Sequence, residues 1–145
     1  MSENMNEHVS NYNKVIELLK KYRELTIDIK ALELDIKEQG LRGVSYNDMP
    51  GSPLPSNTSP VEISLNKIER LRIDKGSLEI KKEKIENIFK VLNNTEVAII
   101  KYRHIDKLMF KEISYKVNMN ADYLVTKHKE IIEKLIPYAL RHNLI

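Results

Sequence analysis

Cysteine and tryptophan are both absent from this 145-residue chain. Without cysteine there is no disulfide framework and no thiolate zinc site. Long apolar runs are missing too, so no segment reads as a bilayer span. The opening residues MSENMNEHVSNYNK hold no signal-peptide core. These absences set the expectation of a cytoplasmic protein with no membrane contact. Glycine and proline are scarce, four and five residues, and they are unevenly spread. Three of the glycines and four of the prolines fall in GLRGVSYNDMPGSPLPSNTSP, residues 40–60. Outside that stretch little in the sequence would break a helix, and the expected fold class is all-α.

Catalytic signatures are equally thin. His8, His104, His128 and His142 lack metal-ligand spacing and read as surface histidines. His104 and Asp106 have no candidate nucleophile beside them. Gly40 and Gly43 are not preceded by a strand or followed by Gly-Lys-Ser/Thr, so they form no phosphate loop. The expectation is a protein that is not an enzyme and carries no metal and no cofactor.

What the chain does have is periodicity. Val15, Leu18, Tyr22, Leu25, Ile29, Leu32 and Ile36 alternate spacings of three and four. This predicts a long helix over about Asn11 to Gln39 with a coiled-coil seam, ended by Gly40 and preceded by a frayed Met1–Val9. Residues 40–60 then read as a mobile connector, or as an ordered clasp on the two helices or a partner. A second long helix is predicted over Val61 to Leu92. Ile68, Leu71, Leu78, Ile85, Phe89 and Leu92 keep one frame, while Lys75 and Lys82 fall on the seam as snorkelling side chains. The two helices should fold back as an antiparallel hairpin. A two-helix seam buries little and leaves Ile27, Leu34, Leu65, Ile73 and Ile80 on the flanks, so pairing into a homodimer is expected.

The most informative stretch is FKEISYKVNMNADYLVTKHK, Phe110 to Lys129. Ile113 and Val117 share one helical face. Asn118 stands where the chain must reverse, a place that needs positive φ and tolerates Asn after Gly. Met119 fills the angle, Asn120 suits an N-cap, and Leu124 closes the small core from a second helix. A helix-turn-helix of this kind places its second helix in the major groove of DNA. Asn120, Ala121, Tyr123, Thr126, Lys127 and Lys129 then face outward, with Lys111, Lys116 and Arg103 available to phosphates. Upstream, Asn94-Thr95-Glu96 reads as the start of a supporting helix, Val97 to Tyr102. Downstream, Pro137 should end or kink the last helix, leaving an apolar tail. From Thr95 onward nine Lys and Arg stand against six acids, which leaves +3, the whole of the net charge. The excess lies where phosphate contact would require it, though it is modest. Two domains are expected, a helical arm over 1–93 and a DNA-binding module over 94–145.

The segment NNTEVAIIKYRHIDKLMFKEISYKVNMNADYLVTKHKEIIEKL resembles region four of bacterial sigma factors. With the helical arm and the Gly/Pro/Ser stretch GLRGVSYNDMPGSPLPSNTSPVE, the chain is similar to phage-encoded regulators of the ArpU and RinA type. The resemblance implies a transcriptional regulator of phage genes that binds double-stranded DNA, with RNA polymerase as a possible further partner. Ser114 stands where such turns usually carry Ala, and Asn118 where they carry Gly. No counterpart of the segment that reads the −10 element is visible, which favours an accessory regulator over a complete sigma factor. Two rival readings remain open at this stage. One is a small terminase-like packaging protein, expected to form a ring. The other is a helical adaptor that binds a protein and not DNA.

Overall fold

The computed structural model describes the backbone of residues 2–47 and 60–145, with side chains for 5–41, 62–63 and 65–145. Among the described residues there are five α-helices and no strand: α1 Ser2–Asn47, α2 Pro60–Ile88, α3 Asn94–Ile100, α4 Phe110–Val117 and α5 Ala121–Arg141. The all-α expectation holds. A short 3-10 turn, Phe89–Val91, follows α2, and a π-helical turn, Lys101–Ile105, follows α3.

Three expected helix ends are corrected. Residues 2–9 are not a frayed lead, because α1 already runs from Ser2; the ring of His8 comes 3.6 Å from the Glu133 carboxylate on α5. Gly40 does not stop α1, which continues to Asn47. A helical glycine costs roughly 1 kcal/mol, too little to end a helix that has other support. The connector expected over residues 40–60 is therefore helical as far as Asn47 and again at Pro60, and its remainder lies outside the described residues. Pro137 does not end α5, which runs four residues beyond it. Pro137 is exposed, on the side of α5 opposite the core, where a proline is best accommodated within a helix.

The chain divides into two compact units, one made of Met1–Glu24 with Lys81–Ile145, the other of Leu25–Ile80. The first runs through Asn93-Asn94, where the sequence reading places a boundary, and it contains nearly all of the core. Val15, Leu18 and Leu19 of α1, Ile85 and Ile88 of α2, Ile99 and Ile100 of α3, and Ile113 of α4 are all buried. The apolar face of α5, from Leu124 through Ile131, Ile132 and Leu135 to Ala139, is fully buried as well. Tyr22 donates a hydrogen bond to Glu86 at 3.0 Å and stacks edge-on against Phe89. Burial, then the Glu86 carboxylate, pushes its phenol up to about 12.

The second unit pairs α1 and α2 antiparallel. Lys75 reaches Glu33 across the pair at 3.5 Å and Glu79 along its own helix at 3.3 Å. Its ammonium thus snorkels from a half-buried seam position. The seam is shallow. Ile29, Leu32, Ile36, Ile68, Leu71 and Leu78 are only half-buried, and Leu25 alone among the described residues of this unit is buried.

Gly40 and Gly76 both sit inside helices with nothing within 4 Å of an added Cβ. Gly40→Ala and Gly76→Ala should each stabilise the protein by about 0.5–1 kcal/mol and raise the melting temperature. A fall in melting temperature for either variant would contradict the helical assignment at that position.

Candidate nucleic-acid interface

The junction between α4 and α5 is built by local rules. Asn118 takes the left-handed conformation, φ 56° and ψ 48°, and the Met119 N–H donates back to the Ser114 carbonyl at 3.2 Å. That six-to-one bond closes a Schellman end. Asn120 then caps α5, its Oδ1 accepting from the backbone N–H of Asp122 at 2.8 Å and of Tyr123 at 3.4 Å. Ile113 and Leu124 are fully buried beneath the turn, while Val117 and Met119 are half-buried.

α3 fixes the angle at which α5 is presented. It starts at Asn94, as expected, and its cap is Asn93, the register that puts Glu96 at the third helical position. Asn93 Oδ1 accepts from the Glu96 N–H at 2.8 Å, and Glu96 returns a carboxylate oxygen to the Asn93 N–H at 3.0 Å, a complete capping box. Glu96 is 3% exposed. Lys134 donates to it at 3.0 Å, and Lys127 lies 3.5 Å away. Burial would push this carboxyl up, but the Asn93 N–H, Lys134 and Lys127 together hold it below the usual range.

The nine residues expected at a DNA surface divide into two groups. Tyr123, Thr126 and Lys129 on α5 and Lys111 and Lys116 on α4 are exposed. Tyr123 is 53% open, and Lys116 lies over the Tyr102 ring at 5.5 Å. The other four are held by the fold. Asn120 is occupied as a cap, Ala121 is half-buried, and Lys127 turns inward to Glu96. Arg103 donates to the Leu108 carbonyl at 3.0 Å and covers the Phe110 ring at 4.4 Å. Asp122 and Glu130 share the exposed side of α5, and Tyr115 and Val125 are open nearby. The surface is mixed in sign, not simply basic.

His104 and His128 are not surface histidines. Both are buried, and their Nε2 atoms lie 2.8 Å apart. Only one Nε2 carries hydrogen, so the two rings must be opposite tautomers. The edge of Phe110 packs on His128. The pattern was present in the sequence, since His104 is four residues from Ile100 and His128 four from Leu124. Both rings therefore share the faces of core residues. His8 and His142 sit nearer the surface, the latter bonded to Asn87 at 3.0 Å. No group of three or more metal-ligating side chains exists among the described residues. No described helix is long and apolar enough to cross a membrane. No family model matches the chain, and neither the curated proteins nor the solved structures supply a match.

Burial first, then the neighbouring charges of His128, Arg103 and Lys20, lowers His104 from 6.5 to about 4, and burial with Arg103 does the same to His128. Below the ordinary histidine pKa the unfolded chain takes up protons that the folded pair refuses. The histidine pair's contribution to stability should therefore fall as pH drops from about 6.5 toward 4 and level off below that. The loss should be on the order of a few kcal/mol. Denaturant unfolding at pH 7.5, 5.5 and 4.5 measures it, and the double variant His104→Leu/His128→Leu should flatten that dependence. An unchanged slope in the double variant would assign the effect to other groups.

Proposed function

We propose that the chain is a sequence-specific DNA-binding regulator of phage or prophage transcription, acting in the host cytoplasm as a homodimer. The observation that carries the reading is the α4–α5 junction. Two helices meet at a left-handed Asn118, Ile113 of the first and Leu124 of the second are fully buried, and the first turns of α5 are left open. A helix held this way can enter a major groove by its N-terminal end. Tyr123 and Thr126 are the residues placed to meet base edges, and Lys111, Lys116 and Lys129 those placed to meet phosphates. The resemblance to sigma region four and to ArpU- and RinA-type regulators supports the reading and adds RNA polymerase as a partner.

A second reading is favoured by one observation. Asp122 and Glu130 beside open Tyr115 and Val125 make a face as suited to a protein as to DNA. Selection of bound duplexes from a random pool separates the two. Enrichment of a defined sequence is expected from a regulator. No enrichment, with no retention on duplex at low salt, would leave the adaptor. On an enriched site, Thr126→Ala should relax sequence choice, while Lys129→Ala should weaken all duplexes alike and reduce the salt slope by about one unit.

A further inference from the structure

α1 carries a second apolar line that the hairpin does not use. Ile27, Leu34 and Leu41 are exposed by 64%, 52% and 72%. They are seven residues apart, so they form one ridge along the helix. At 3.6 residues per turn the ridge lies about 160° round the helix from the seam of Leu25, Ile29, Leu32 and Ile36. Ala31, also exposed, sits between Ile27 and Leu34 on the same side and allows close approach.

The charges beside the ridge repeat with the same period. Four residues before each ridge position stands a cation, Arg23, Lys30 or Lys37. One residue after Ile27 and after Leu34 stands an acid, Asp28 or Asp35. All five are exposed, and the present partner of Lys30 is Glu33 on its own helix at 3.4 Å, an open pair that is readily exchanged. With the ridge at the d positions of a heptad, the cations take g and the acids take e. In a parallel, in-register pair each g residue faces the e residue five places on in the other chain. Arg23 then meets Asp28 of the partner subunit and Lys30 meets Asp35 of the partner subunit, each twice by symmetry. Lys37 has Arg42 five places on, so that pair repels. Over Arg23 to Asp35 an antiparallel pair would set cation against cation and acid against acid. That stretch of the ridge is thus complementary to itself in one orientation.

We propose that α1 docks a second copy of this chain through Ile27, Ala31, Leu34 and Leu41, with the two helices parallel and in register. This rests on the homodimer in the functional reading and supplies its geometry. Glu24 and Glu38 take the a positions on either side of Ala31, where a parallel pair sets each against its own copy, so the apolar contact is short.

Because the chain has no cysteine, single-cysteine variants of the full protein report the pairing directly. Ile27→Cys alone should oxidise to a covalent homodimer. An antiparallel pair centred on Leu34 would instead join Ile27→Cys only to Leu41→Cys in a mixture, and that result overturns the proposal. So does a monomer by light scattering at tens of micromolar with helicity intact. At low salt Asp35→Lys should weaken dimerisation roughly tenfold, and Lys30→Glu/Asp35→Lys should restore it. Failure of the double swap to restore dimerisation overturns the g–e′ assignment. Duplex binding by the same variants is a separate readout. A cross-linked dimer that binds no duplex sinks the DNA reading and leaves this one standing. A monomer that still binds a half-site does the reverse.

Discussion

The carboxylate of Glu96 ties the start of α3 to α5. It completes the capping box that starts α3, and it receives Lys134 and Lys127 from two turns of α5. A capping box alone contributes about 1 kcal/mol. A buried carboxylate stripped of its cations, or cations left facing an empty site, costs about 3–5 kcal/mol. The second magnitude is the larger, so the arrangement acts chiefly as a specificity device for α5. Rolling α5 by one residue would carry Lys134 away from Glu96 and Leu124 out of the core. The side of α5 that shows Tyr123, Thr126 and Lys129 is thereby fixed from behind.

The histidine pair does a similar job at the other side of α5. The π-helical turn closes with the Asp106 N–H on the Lys101 carbonyl at 3.0 Å. Its wider turn brings His104 against His128 and Arg103 over Phe110, the first residue of α4. Lys107 takes a left-handed φ of 55° directly after it. A non-glycine residue there costs of order 1 kcal/mol or more. The Leu108 N–H on the Tyr102 carbonyl and the Arg103 guanidinium on the Leu108 carbonyl hold the strained link in place. Two polar rings in a core would each cost more than that if left unpaired. Neutral and bonded to one another, they are satisfied only in this register of α5 against the turn.

Much of this was legible from residue order, because the controlling interactions are local. The left-handed Asn118, the Asn120 cap and the burial of Ile113 and Leu124 follow from spacing within a dozen residues. The seam lysines were legible too, since a long stem at a heptad position has one common solution. What escaped was long-range or a matter of competing small energies. Arg103 looks like a phosphate ligand and Lys127 like a residue turned toward base edges, yet a half-buried aromatic ring and a buried carboxylate claim them. Gly40 and Pro137 look like stops, yet each costs only what neighbouring contacts can offset. Glu96 could have been found from the order Asn-Asn-Thr-Glu, but not its lysines, which lie more than thirty residues on.

A helix that is apolar on two opposite lines poses a problem of solvation that one hairpin cannot solve. Along α1 the inner line faces α2 and is still only half-buried, while the outer line is open. Three large aliphatic side chains at more than half exposure, seven apart, recur on one line of the helix and are not the scattered exposure normal for a surface. Leaving such a strip in water forgoes about 25 cal/mol for each Å² that a partner could cover. For the proposed pairing the charges from Arg23 to Asp35 select the orientation. Cations and acids on opposite flanks of one strip are matched by the same strip turned about an axis along the helix, and mismatched by the same strip reversed.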